Sequence, residues 1–173
     1  MNYELLDFLE GEALYQSFQG SLNESESPYD LTGLKIQYPI SYDLTIYKVD
    51  NGLEVDIVVD YAIETNCSRC LIPVLEDVHD SSHVKVVRGE VTEDTTGEEV
   101  ISVEQYTDFP LNELIFSQVI TSVPMKSLCK DDCKGLCPSC GQDNNLVSCQ
   151  CNDESYNDQF EVLKGLFKEN KEV

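Results

Sequence analysis

The stretch Leu53-Glu-Val-Asp-Ile-Val-Val-Asp-Tyr-Ala-Ile-Glu-Thr-Asn-Cys67-Ser-Arg-Cys70 carries both themes of the chain. Leu53, Val55, Ile57, Val59, Tyr61 and Ile63 fall on alternate positions, with Glu54, Asp56, Asp60 and Glu64 between them. Successive side chains of a strand point to opposite faces, so this reads as a half-buried strand with one wet, acidic face. It then runs straight into a Cys-x-x-Cys turn, a pattern that serves soft metal ions better than it serves packing.

Upstream, Tyr42, Leu44 and Ile46 mark a similar strand from about Pro39, and Asp50-Asn51-Gly52 supplies a hairpin turn. Downstream, Val74, Val78, Val84 and Val86 place a third strand on even positions. Cys67 and Cys70 then fall at the turn between the second and third strands. Gly89–Glu99 is acidic and Thr-rich and reads as a loop. Pro110 opens a helix, with Asp108 or Phe109 at the cap position. Leu111, Leu114, Ile115, Val119 and Val123 form its apolar stripe, and Pro124 ends it. A last helix is expected over 156–168, with Phe160, Leu163, Leu166 and Phe167 facing inward. Within residues 1–20 a short helix is expected, and the turn-rich run Ser21–Asp30 reads as loop. The fold class is α+β: an antiparallel β-meander with flanking helices and a Cys-rich, zinc-binding C-terminal segment. Three parts follow: an N-terminal segment 1–30, a sheet core with its following helix 31–125, and a metal-binding segment with tail helix 126–173.

Six of the eight cysteines lie within Cys129–Cys151, as Cys129-Lys-Asp-Asp-Cys133-Lys-Gly-Leu-Cys137-Pro-Ser-Cys140-Gly and Cys149-Gln-Cys151. Zinc takes four such sulfurs at about 2.3 Å, and a tight Cys-x-x-Cys turn aims two of them at one point. In Cys137-Pro138-Ser139-Cys140-Gly141 the proline stiffens the turn, and the glycine is free to take positive φ after the second ligand. Eight cysteines divide into two sets of four. The favoured partition is Cys137, Cys140, Cys149 and Cys151 around one ion and Cys67, Cys70, Cys129 and Cys133 around another. One or two zinc ions, an iron–sulfur centre and metal-free thiols all remain open on spacing alone. Cys133-x3-Cys137-x2-Cys140 matches the cluster-binding pattern of radical S-adenosylmethionine enzymes. Only 33 residues follow Cys140, however, so the large barrel of those enzymes has no room.

Charge bounds the partners. The formal net charge is −22, and residues 1–66 alone hold 13 acids against two bases. A phosphate backbone repels such a body and a basic partner is drawn to it. Glu54, Asp56, Asp60 and Glu64 are therefore the expected partner-binding face. The densest basic feature is Lys126, Lys130 and Lys134 beside the thiols. With Arg69 they are the candidates for contact with nucleic acid. His79 and His83, four residues apart on a strand, read as surface residues. No Ser-His-Asp arrangement, glycine-rich phosphate loop or isolated carboxylate pair stands out, so no catalytic residue is assigned and the expectation is a non-enzyme. No apolar run reaches the roughly 18 residues of a membrane span. Acidic residues also stand where a signal peptide carries a basic head. The expected location is the cytoplasm.

Cys67-Ser-Arg-Cys70-Leu71 after an alternating strand, then Val123-Pro124, Asp132-Cys133-Lys134-Gly135-Leu136-Cys137-Pro138-Ser139-Cys140-Gly141, Asn145 and Cys149-Gln-Cys151, together resemble the YceD family. That resemblance implies a small cytoplasmic non-enzyme supporting accumulation of large-subunit ribosomal RNA. The leading expectation is capture of a basic large-subunit ribosomal protein or pre-ribosomal particle. Direct RNA binding through zinc knuckles, and redox or metal-responsive regulation, are the alternatives. Where the family places Asp-Pro-Arg before its tail helix, this chain has Asp158-Gln159-Phe160.

Overall fold

A computed structural model describes residues 3–50, 52–89, 99–105 and 109–151. The elements, in chain order, are α1 (Tyr3–Glu10), β1 (Tyr15–Leu22), a 3-10 turn (Glu24–Glu26), β2 (Lys35–Val49), β3 (Gly52–Asn66), β4 (Pro73–Arg88), β5 (Glu99–Val103) and α2 (Leu111–Ser122). They fall into two units. One comprises 1–65 with 73–127; the other comprises 66–72 with 128–173. The tail helix expected over 156–168, the position of Asn51 and the cap residue Asp108 lie outside the described residues.

The sheet has five strands in the order β1-β2-β3-β4-β5. β1 and β2 pair antiparallel, as do β2 and β3, with Val49 opposite Gly52 at the end of their ladder. β5 departs from the meander, since it runs parallel to β4 with Val84 beside Glu99. Two of the strands escape the pattern reading. β1 lies where a helix and then a loop are expected, and β5 begins at the end of the expected loop Gly89–Glu99. β1, with the sequence Tyr-Gln-Ser-Phe-Gln-Gly-Ser-Leu, buries only Phe18 and Leu22. Such sparse apolar spacing reads as loop until tertiary packing decides it. β2 also starts earlier than expected, at Lys35. The ladder to β3 is interrupted between Gln37 and Ser41, around Pro39, which has no N–H to contribute.

Alternation along β3 places Leu53, Val55, Ile57, Val59, Tyr61 and Ile63 inside, where they join Ile40, Leu44 and Ile46 of β2 and Val84 and Val86 of β4. The core is completed by Phe8 of α1, Phe18 of β1, and Leu114, Ile115, Phe116 and Val119 of α2. In α2 the buried stripe is wider than sequence spacing implies, because Phe116 and Gln118 are also covered. Gln118 is explained by β4: its even positions face inward, which brings Asp80 into hydrogen-bond contact with the Gln118 amide. The helix stops at Ser122 because Val123 precedes Pro124 and takes an extended ψ of 123°. Tyr61 then ties down its end, donating to the Val119 carbonyl at 3.1 Å and lying 3.0 Å from Ser122 Oγ.

Helix α1 has no basic residue in its last turn. Lys48 of β2 supplies the missing charge, donating to the carbonyls of Phe8 (2.7 Å) and Gly11 (2.6 Å) with its ammonium 4.7 Å from the Phe8 ring centroid. No helix among the described residues is long and apolar enough to cross a membrane.

Candidate metal centres

The eight cysteines gather into two sets of four: Cys67, Cys70, Cys129 and Cys133, and Cys137, Cys140, Cys149 and Cys151. In each set the four sulfurs lie within 4.8 Å of one another. None is in a disulfide. Cys67 Sγ stands 3.7 Å from Cys133 Sγ, and Cys70 Sγ stands 3.6 Å from Cys129 Sγ. A tetrahedron with zinc–sulfur bonds of about 2.3 Å has edges of about 3.8 Å, whereas a disulfide bond is about 2.05 Å. The spacing therefore fits four ligands of one soft divalent ion.

The two Cys-x-x-Cys turns are built alike. Leu71 N–H donates to the Cys67 carbonyl at 2.9 Å, and Gly141 N–H donates to the Cys137 carbonyl at 2.8 Å. Cys67 N–H then bonds the Ile72 carbonyl and Cys137 N–H the Gln142 carbonyl, both at 2.8 Å. This geometry needs a left-handed residue after the second cysteine. Gly141 supplies it at φ 73°, and Leu71 at φ 64°.

Backbone amides and crowding pull the thiols apart in acidity. Burial alone would raise Cys67, but backbone N–H groups of Cys129, Cys70 and Arg69 outweigh it and bring the thiol down to about 6. Cys129 is pushed up to about 12, by burial first and then by the sulfurs of Cys133, Cys70 and Cys67. In the second set, the Cys140 backbone N–H leads the groups that hold Cys137 at about 6. Neighbouring Cys140, then burial and Cys137, push Cys151 up to about 12. Each set thus gives up a first proton easily and a last one with difficulty. A bound divalent cation lets all four sulfurs ionise together.

The surroundings differ between the sets. Cys67, Cys70 and Cys133 are buried and Cys129 half-buried, while Cys140 and Cys151 are exposed. Around the first set, Asn145 Nδ2 points at Cys133 Sγ (3.5 Å) and donates to Asp143 Oδ1 (2.7 Å), and Asn145 Oδ1 accepts from Lys134 N–H (2.9 Å). Such outer partners orient a ligand and hold its lone pairs toward the ion.

Arg69 has work inside the knuckle. Its Nη1 donates to the Cys133 carbonyl at 2.7 Å and to the Asp131 carbonyl at 3.4 Å, and its own carbonyl accepts from Leu136 N–H at 3.0 Å. Lys130 stands 3.7 Å from Asp132. Lys126 belongs to the sheet unit, whereas Lys130 and Lys134 belong to the cysteine unit.

On the outer face of the sheet, three of the four acids meet a basic side chain. Asp56 is 2.7 Å from His83 Nδ1, Asp60 is 2.7 Å from His79 Nδ1, and Glu64 is 2.6 Å from Lys35 Nζ. The histidines were legible as a same-face pair, but their aspartate partners emerge only once β4 lies beside β3. All four histidine and aspartate side chains remain at least half-exposed.

An α+β body carrying two four-cysteine sets, each of which could hold a metal ion, defines the class. The family model described as "Large ribosomal RNA subunit accumulation protein YceD" matches residues 55–167, and the chain belongs to that family. It is also similar to an uncharacterized protein of Mycobacterium tuberculosis, at 29% identity over 103 residues covering 59% of this chain and 50% of the relative. A comparable protein of Mycobacterium leprae is 28% identical over 110 residues, covering 60% of this chain and 48% of the relative. The chain thus spans about half the length of these curated relatives. No solved structure matches it.

Proposed function

We propose that this protein is a cytoplasmic, non-enzymatic assembly factor for the large ribosomal subunit that holds a basic ribosomal protein, or a pre-ribosomal particle through one, against its acidic surface. Membership of a family described by large-subunit ribosomal RNA accumulation points to the process. The observation that carries the physical reading is the uneven charge: −22 overall, with Glu54, Asp56, Asp60 and Glu64 on the solvent face of β3. Such a field repels RNA and attracts a cationic protein before that protein reaches its RNA site. Asp43 of β2 and Asp77 of β4 lie on the same face by strand alternation and extend it.

Zinc is the metal we assign to both cysteine sets, because all-thiolate sites with tetrahedral spacing suit it. Its role is structural: it fixes loops too short to bury a core of their own. Direct RNA binding is the less favoured reading, since the guanidinium of Arg69, one of its four candidate contacts, is engaged with the Cys133 carbonyl.

Affinity purification of the full chain from anaerobically lysed cells tests the proposal. Large-subunit proteins or precursor particles should be enriched, and D56N/D60N should reduce their recovery, most clearly at low salt. Depleting the protein should lower large-subunit ribosomal RNA; an unchanged ribosomal RNA profile would refute the proposal.

A further inference from the structure

A cavity that belongs to neither the cysteine sets nor the outer sheet face opens between the 3-10 turn Glu24–Glu26 and the start of α2. Its volume is about 550 Å³, within the range of small-ligand sites. Three residues with hydrogen-bond acceptors line it from three elements: Glu26 from the turn, Glu113 from α2, and Tyr42 from β2. Pro28, Phe109 and Pro110 supply apolar wall.

Tyr42 is the observation that points to a ligand. The residue is only 8% exposed and lines the cavity, yet no described residue hydrogen-bonds its hydroxyl. Its hydroxyl is not among the buried unpartnered atoms, so it meets the open space of the cavity and is available to an incoming group. The ring is seated there by design of the strand pair: Gly20 lies opposite Tyr42, and a Cβ at position 20 would stand 2.5 Å from the Tyr42 oxygen. Glu26 spends one oxygen, Oε2, on the Asn23 N–H at 2.9 Å, which leaves the other for an incoming group.

An anion would be repelled by Glu26 and Glu113, and a purely apolar ligand would leave all three acceptors unpaired. A cation with several donors satisfies them. A guanidinium has five donors in a flat fork and sheds water readily, and its aliphatic stem lies well on proline and aromatic carbon. We propose that this cavity receives an arginine side chain from a basic protein segment, with the guanidinium held by Glu26, Glu113 and the Tyr42 hydroxyl. The site is separate from the acidic face of β3, and the proposal stands whether or not that face binds a partner.

The test is an NMR titration of the full, metal-loaded chain with N-acetyl-arginine amide. Shifts should concentrate in residues 21–28, 42 and 109–113. The citrulline amide, equal in shape but uncharged, should leave them unmoved, and the lysine amide and free arginine should bind more weakly. E113Q should weaken binding roughly threefold to fivefold, and Y42F should weaken it while leaving the circular dichroism spectrum intact. D56N/D60N, on the outer face, should bind as the parent does. Equal shifts with citrulline, equal affinity for the lysine amide, tighter binding of free arginine, shifts outside this region, no shifts at all, or an unaffected E113Q would each overturn the proposal.

Discussion

Leu71 and Gly141 occupy the same place in two copies of one turn, each directly after the second cysteine and each left-handed, at φ 64° and 73°. Glycine takes that conformation freely, whereas for leucine it costs roughly 1–2 kcal/mol. Leu71 gains little in return from packing, since its side chain is 62% exposed. The turn is therefore imposed on Leu71 by the hydrogen bonds and sulfurs around it. L71G should raise the stability of the metal-loaded protein by about 1 kcal/mol, while G141A should lower it by a similar amount. Thermal unfolding of the two variants beside the parent, at fixed metal, measures both.

Exposure orders the two centres in their resistance to chelation. Cys140 and Cys151 face solvent, whereas the first set has three buried sulfurs and Asn145 beside Cys133. A competing chelator should remove the ion held by Cys137, Cys140, Cys149 and Cys151 first, giving two kinetic phases. N145A should speed the slower phase alone and weaken that site about tenfold. A chromogenic chelator followed over time reads both effects.

Arg69 separates a structural role from a nucleic-acid role. R69Q removes the donor to the Cys133 and Asp131 carbonyls. It should cost about 1–2 kcal/mol and accelerate metal loss from the first set. R69K should rescue only part of this, because an ammonium lacks the guanidinium fork. If RNA affinity fell in these variants while metal release stayed at the parental rate, the structural assignment would be wrong.

The Lys48 ammonium at the end of α1 makes a further test. K48M keeps a long side chain but removes the ammonium donor from the Gly11 carbonyl and leaves the Phe8 carbonyl with the Gly11 N–H alone. A loss of about 1–2 kcal/mol is expected, together with faster amide exchange in Tyr3–Glu10 than in β3. Uniform protection across both elements would count against the cap.

What was legible in the sequence follows from where one signal dominated. Every inward position of β3 from Leu53 to Ile63 is apolar and four of the outward ones are acidic, so its faces could be assigned from the sequence, and the spacing of the cysteines favoured the two quartets that the structure assembles. β1 was missed because Gln16, Ser17, Gln19, Gly20 and Ser21 leave it little apolar pattern; it is a strand by pairing with β2. The acidic inner positions of β4 were hidden by its valines. Even spacing correctly placed Val84 and Val86 inside but gave no warning that Glu76 and Asp80 share that side, nor that Gln118 would meet Asp80. Neither could the knuckle use of Arg69 be read, since its carbonyl partners are backbone atoms more than sixty residues away. The cavity at Tyr42 likewise joins three elements that no local pattern connects.

The claim on which the account rests is that each set of four sulfurs holds one metal ion. Native mass spectrometry of the full chain, purified anaerobically and paired with elemental analysis, tests it most directly. The account predicts a dominant species carrying two divalent ions, with eight thiols that react only after unfolding or chelation. A folded, metal-free chain with all eight thiols open to reagent would contradict it.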